Sequence, residues 1–145
     1  MKKLFTLILL LAFCSTIKAG TPILLRQLVG KWKLIDENYK DCDEVWEFSE
    51  NVMTQTCEFK LINEISTYSK PYYLFTGIPK KYAPSLVGQT KRGTHIIYYA
   101  EKRKIIKYYE VMSLKNNTMT LRYYAENAIG WSADYVTLNF RRVPK

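Results

Sequence analysis

The chain has 145 residues, 22 Lys and Arg against 13 Asp and Glu, a formal charge of +9 and 48% hydrophobic residues. That length fits one domain with enough chain to bury an independent core. It carries one histidine and three cysteines, and no C-x-x-C, H-E-x-x-H, EF-hand or Gly-rich phosphate loop, so no metal, cofactor or phosphate motif is present.

Met1-Lys2-Lys3 is a cationic start, Leu4 to Phe13 an apolar run broken only by Thr6, and Ser15 to Ala19 a more polar tail. This three-part pattern predicts a secretory signal peptide over 1–19, too short to cross a bilayer as a helix of ~20 residues. Removal after Ala19 leaves 20–145 as the mature domain. It stays basic, because the leader takes away Lys2, Lys3 and Lys18 and no acid. Leu11-Ala12-Phe13-Cys14 offers a second reading, a lipoprotein box with Cys14 as the anchor, although Phe13 is bulky where such boxes carry a small residue. The expected address is therefore the periplasm or the medium, with attachment through Cys14 as the alternative. The Lys-rich start and short leader have a bacterial character.

A helical turn or two is expected near Ile23 to Leu28, and from there alternation replaces helical period. Trp32 and Leu34 share one face of a first strand, with Lys31 and Lys33 on the other. Trp46 and Phe48 alternate with Glu47, and Met53, Gln55, Cys57 and Phe59 alternate with Thr54, Thr56 and Glu58. Residues 60–92 are interrupted at Lys70-Pro71, Gly77, Ile78-Pro79 and Ala83-Pro84, which predicts a strand over Tyr72 to Phe75 and then a loop. Runs 94–99 and 104–113 are rich in Ile and Tyr, which suit a half-buried pleated surface. Met119, Leu121 and Tyr123, then Val136, Leu138 and Phe140, complete the period-two pattern. Turn signals at Ser49-Glu50, Glu101-Lys102 and Lys115-Asn116-Asn117 separate the runs. The expected architecture is all-β, with about eight short antiparallel strands in meander order.

A hairpin loop at Ser49-Glu50 sets Trp46 opposite Met53 and Cys42 opposite Cys57. Directly opposed residues approach ~4.5–5.5 Å, compatible with a disulfide.

Leu28-Val29-Gly30-Lys31-Trp32-Lys33-Leu34, the Cys42-Asp43…Phe48…Cys57 hairpin, the Met112-Ser113-Leu114…Met119-Thr120-Leu121 hairpin and terminal Phe140-Arg141-Arg142 together resemble the lipocalin (calycin) superfamily, in particular its small bacterial exported members. The resemblance spans most of the mature chain and implies a small up-and-down barrel. It also implies a structural role for Gly30 and Trp32 at the closed end, with Arg141 or Arg142 from the last strand packed over the indole. The segment 60–92 departs from the family pattern and leaves the shape of the mouth open.

Four tyrosine doublets stand out: Tyr72-Tyr73, Tyr98-Tyr99, Tyr108-Tyr109 and Tyr123-Tyr124. On a strand a doublet places one ring on each face. Tyr123 shares its face with Met119 and Leu121 and so points inward. Tyr98 and Tyr109 share a face, which is the inner one if a bulge near Ser113 lets Val111 and Leu114 both point in; otherwise Tyr108, Glu110 and Met112 do. Interior tyrosines offer ring surface and hydroxyls to an amphipathic ligand, unless the barrel is filled by its own side chains.

No Ser-His-Asp order stands out, and His95, within strand periodicity, reads as a wall or surface residue. The run Asp36-Glu37, Asp41, Asp43-Glu44 reads as a solvated connection rather than a cation site. Lys80-Lys81, Lys91-Arg92, Lys102-Arg103-Lys104 and Lys107 make the loops basic, but a leader carries the chain away from nucleic acid. The sequence thus predicts a monomeric, non-enzymatic, exported barrel that needs no cofactor. It binds a small apolar or amphipathic ligand, with Trp46, Phe59, Tyr98, Tyr109 and Tyr123 as lining residues. The alternative is a protein- or glycan-interaction or inhibitor module working through the 60–92 loop and the basic hairpin tips, with cell-envelope contact. A third reading is an enzyme on the same scaffold, using His95 or an inward Glu110.

Overall fold

The computed structural model describes residues 20–35, 41–126 and 133–145. The leader 1–19 with Cys14, and Asp36-Glu37 of the acidic run, lie outside the described residues. The chain runs β1 (Ile23–Leu24), α1 (Leu25–Leu28), β2 (Gly30–Leu34), β3 (Cys42–Phe48), β4 (Val52–Phe59), β5 (Glu64–Phe75), a 3-10 turn at Pro84–Leu86, β6 (Arg92–Gly93), β7 (His95–Ala100), β8 (Ile105–Leu114), β9 (Thr118–Glu126) and β10 (Ala133–Arg142). Eight strands close into an antiparallel barrel in the order β10-β2-β3-β4-β5-β7-β8-β9, while β1 and β6 form a separate two-stranded ladder. This is the all-β barrel with a short N-terminal helical turn that the period-two runs predict, and it is compatible with a lipocalin-like fold.

The alternation places Trp32, Trp46, Phe48, Met53, Leu74, Ile96, Met119, Leu121 and Phe140 in one buried core. At the closed end Trp32 is fully buried and its Nε1–H donates to the Leu28 carbonyl at 2.8 Å. Of the two candidate arginines, Arg142 stands over this indole, its guanidinium carbon 4.0 Å from the ring centroid. Arg142 also donates to the Asn116, Val29 and Gln27 carbonyls at 2.7, 3.0 and 2.6 Å. Arg141 pairs with Lys33 one step along the strand and is exposed. Gly30 has φ +131°, and a Cβ there would lie 2.7 Å from Arg142 Nη1, so both its backbone and the approach of the guanidinium require glycine.

Cys42 and Cys57 form a disulfide with Cα atoms 6.1 Å apart. The register that led to it is corrected, however. The hairpin turns one residue later than expected: Ser49 N–H donates to the Val52 carbonyl at 2.9 Å, and Ser49 Oγ accepts from Val52 N–H at 3.0 Å. Cys42 therefore faces Phe59, Glu44 faces Cys57 and Phe48 faces Met53. A two-residue slip keeps every side chain on its face, so the cysteines meet diagonally instead of directly.

The interruption expected at Pro71 is also corrected, because β5 continues through it. Tyr72 N–H donates to Asn51 O on the β4 side, so the nitrogen of the preceding Pro71 faces the other side. There the ladder with β7 begins only at Tyr72–Tyr98, and the missing N–H removes no bond. After β5, Tyr82 returns to stack on Tyr99 and Tyr73 on the outer wall, at 5.2 and 5.5 Å.

In β8 the register shifts between Val111 and Ser113. This bulge lets Val111 and Leu114 both face in, puts Tyr109 inside, and leaves Tyr108 and Glu110 on the outer wall. Glu110 is thus not the inward acid that an enzyme reading would need.

Candidate functional site: a tyrosine pocket at the open end

Near the mouth three of the expected residues meet. Tyr98 of β7 and Tyr109 of β8 stack at 5.5 Å with 19° between planes, and the Tyr98 hydroxyl donates to that of Tyr109 at 3.5 Å. Tyr123 of β9 meets Tyr109 edge-on at 5.8 Å. Below them Trp46 touches Tyr109 at 4.9 Å and Phe140 at 4.9 Å, which makes it the floor. Its Nε1–H donates to Glu44 Oε1. Burial pushes the Tyr109 phenol well above its ordinary pKa and the Tyr98 phenol up as well. Both hydroxyls therefore remain neutral donors far into the alkaline range.

The ladders explain why space exists here. β7 and β8 pair out to Ala100–Ile105, and β9 and β10 out to Ala133–Glu126. Between them, the β8–β9 ladder ends at Glu110–Arg122. Above that level the two hairpins part and leave a pocket of about 470 Å³, lined among others by Tyr98, Arg103, Lys107, Tyr109, Tyr123 and Tyr124. The volume lies within the range of small-molecule sites, roughly 300–1,000 Å³. On the opposite side of Tyr98, Lys70 Nζ lies 4.7 Å above the ring, and partial burial lowers its pKa.

Lys70 and Lys107 are the residues beside the rings that the sequence reading did not place inside. Lys107 precedes Tyr109 by two residues and Lys70 precedes Tyr72 by two, so the same period-two count assigns both to the inner face. Phe59, in contrast, shares that face but lies at the open-end rim of β4 beside the disulfide, 38% exposed and outside the residues that line the pocket.

His95 lies on the outer wall. Its Nδ1 is 2.8 Å from Thr94 Oγ1, and Thr94 Oγ1 also accepts from Gly77 N–H, leaving the hydroxyl proton for the imidazole. Burial pushes the His95 pKa down, partly opposed by the Glu110 carboxylate. Asp43 is paired with Lys60 at 3.1 Å and Lys33 at 3.2 Å, which hold its carboxyl below the ordinary range. Among the described residues no group of three or more His, Cys, Asp or Glu could hold a metal ion.

No family model matches the chain, and no curated protein or solved structure matches it either.

Proposed function

We propose that this is an exported, non-enzymatic, lipocalin-like barrel of bacterial type that holds one small amphipathic ligand at its open end. The observation that carries the reading is the convergence of Tyr98, Tyr109 and Tyr123 on one pocket with Lys107 and Arg103 at its edge. Aromatic walls favour an apolar or aromatic body, and the amines and neutral phenols favour an acidic head. The 1–19 pattern and the disulfide support export, and the barrel with its Trp32–Arg142 closure supports the lipocalin likeness. The ligand class is tested with anilinonaphthalene sulfonate and a long-chain fatty acid against their uncharged counterparts. One saturable site is expected, with affinity about tenfold weaker in Lys107→Glu and in Tyr109→Ala, equivalent to about 1.4 kcal/mol each. Binding that does not saturate, or that ignores both substitutions, rejects the pocket.

A second reading rests on a different observation. The β4–β5 hairpin carries Leu61 at its tip, 79% exposed, with Ile62, Ile65 and Tyr68 also exposed. Contiguous exposed apolar side chains mark interaction sites more often than they occur by chance. A macromolecular partner captured by the exported protein and lost on Leu61→Ser with Ile62→Ser, while dye binding persists, would favour this interaction module.

A further inference from the structure

On the outer wall, Glu110 of β8 lies opposite Arg122 of β9 and is only 8% exposed. Its Oε2 accepts from Arg122 Nε at 2.9 Å and also from Nη2. The residue laid against the rest of this carboxylate is Gly20. Gly20 is buried, and a Cβ built there would lie 2.9 Å from Glu110 Cγ, 3.3 Å from Oε1 and 3.1 Å from the Thr94 carbonyl oxygen. Standard geometry puts a residue's nitrogen about 2.5 Å from its Cβ, so the Gly20 nitrogen is within about 6 Å of Oε1.

The next residues fasten the segment in place. Thr21 N–H donates to the Val111 carbonyl and Thr21 Oγ1 to the Met112 carbonyl, both at 2.7 Å, at the bulge where the β8–β9 ladder is interrupted. Ile23 and Leu24 then pair with Gly93 and Arg92.

We propose that removal of the leader after Ala19 creates the missing member of this cluster: the α-ammonium of Gly20, set beside Glu110. Water adds across the Ala19–Gly20 peptide bond; the carboxylate leaves on Ala19, and the amine stays on Gly20 and takes a proton. An uncharged peptide N–H is thereby replaced by a cation beside a buried carboxylate, and processing locks the N-terminal segment onto the finished barrel. This rests on reading 1–19 as a signal peptide. The groups facing the site are Glu110 from β8, Arg122 from β9, His95 from β7 with Tyr108 of β8 packed on its ring at 5.6 Å and, beyond Arg122, Tyr135 from β10, whose ring lies 4.3 Å from the guanidinium. His95, kept neutral by burial, adds no competing charge. Arg122 opposes the ammonium, and Glu110 favours it. An opposite charge within ~4–6 Å raises an amine's pKa. Glycine lets the backbone lie this close: a Cβ at position 20 would require the Glu110 side chain to shift.

Two measurements separate the parts. The full chain is exported through its own leader and its intact mass read: the expected first residue is Gly20, and any other start overturns the processing step and the leader reading together. Separately, residues 20–145, which contain every described strand, are released from a cleavable tag with Gly20 first, and the α-amine is titrated by NMR. Its pKa is expected to rise by about one unit above the usual ~7.7–8.0; an ordinary value overturns the pairing whatever the mass shows. A form that keeps Ala19 is expected to melt about 3–6 °C lower, at a pH below the usual α-amine pKa. That gap closes as pH rises through the raised pKa, and it disappears in Glu110→Gln. Equal melting of the two forms, or a gap that survives Glu110→Gln, also overturns it. If Glu110→Gln does not fold, the titration on the unaltered chain decides.

Discussion

Trp32→Ala is expected to lower the unfolding free energy by about 3–5 kcal/mol, the cost of emptying a fully buried aromatic site at the base of the barrel. The loss is larger than for a peripheral aromatic because Trp32 joins three parts of the chain. Its indole N–H holds the end of α1, its ring lies beneath Arg142 of the last strand, and its backbone pairs with Trp46. Arg142→Ala should cost about 2–3 kcal/mol, since it releases carbonyls of Asn116, Val29 and Gln27 as well as the ring contact. Arg142→Lys should recover little, because an ammonium has no planar fork to bridge three carbonyls. Arg141→Ala, on the exposed face, should change stability by less than about 0.5 kcal/mol. Urea titrations of the four variants check this series. Similar midpoints for Arg141→Ala and Arg142→Ala would show that the closure does not depend on the guanidinium over the indole.

Cys57→Ser, or reduction of the native protein, is expected to cost about 3 kcal/mol, from a bridge that spans 15 residues. The effect acts largely on the unfolded chain, so urea midpoints should drop while the reduced protein still folds in the absence of denaturant. Two titratable thiols in the native, unreduced protein would contradict it. Cys42→Ser should match Cys57→Ser, and the double variant should cost no more than either single one. The β4–β5 hairpin, unpaired with β7 beyond Tyr72, is where faster proteolysis should appear first in the reduced protein.

How far the sequence discloses this molecule depends on which physical signal governs each part. Period-two burial sets faces, which is enough for the antiparallel strands and for the inward Tyr123, whereas the indole at the base follows from the resemblance and the inner face of Tyr98 and Tyr109 depends on the bulge. Register is a finer matter. Ser49, through its own hydroxyl, moves the β3–β4 turn by one residue, and alternation cannot report a slip of two. Pro71 reads as a break because the chain does not announce on which side of a strand the lost N–H will fall. The condition attached to Ser113 proved the informative one: if Val111 and Leu114 both face in, a bulge must intervene, and Tyr109 follows them. The pocket itself was half visible. Its rings follow from the doublets, but Lys70 and Lys107 are hidden by the habit of assigning lysine to solvent. Phe59 lies apart from the other rings because an inward face near a strand's end is not an enclosed one.

The parting of the two hairpins above Glu110–Arg122 sets a doorway in the flank of the barrel instead of along its axis. On the proposed reading, a ligand entering from the side would lay its apolar body on the rings and keep its acidic head at the edge beside Arg103 and Lys107, so a bulky head could stay in water without passing down the axis.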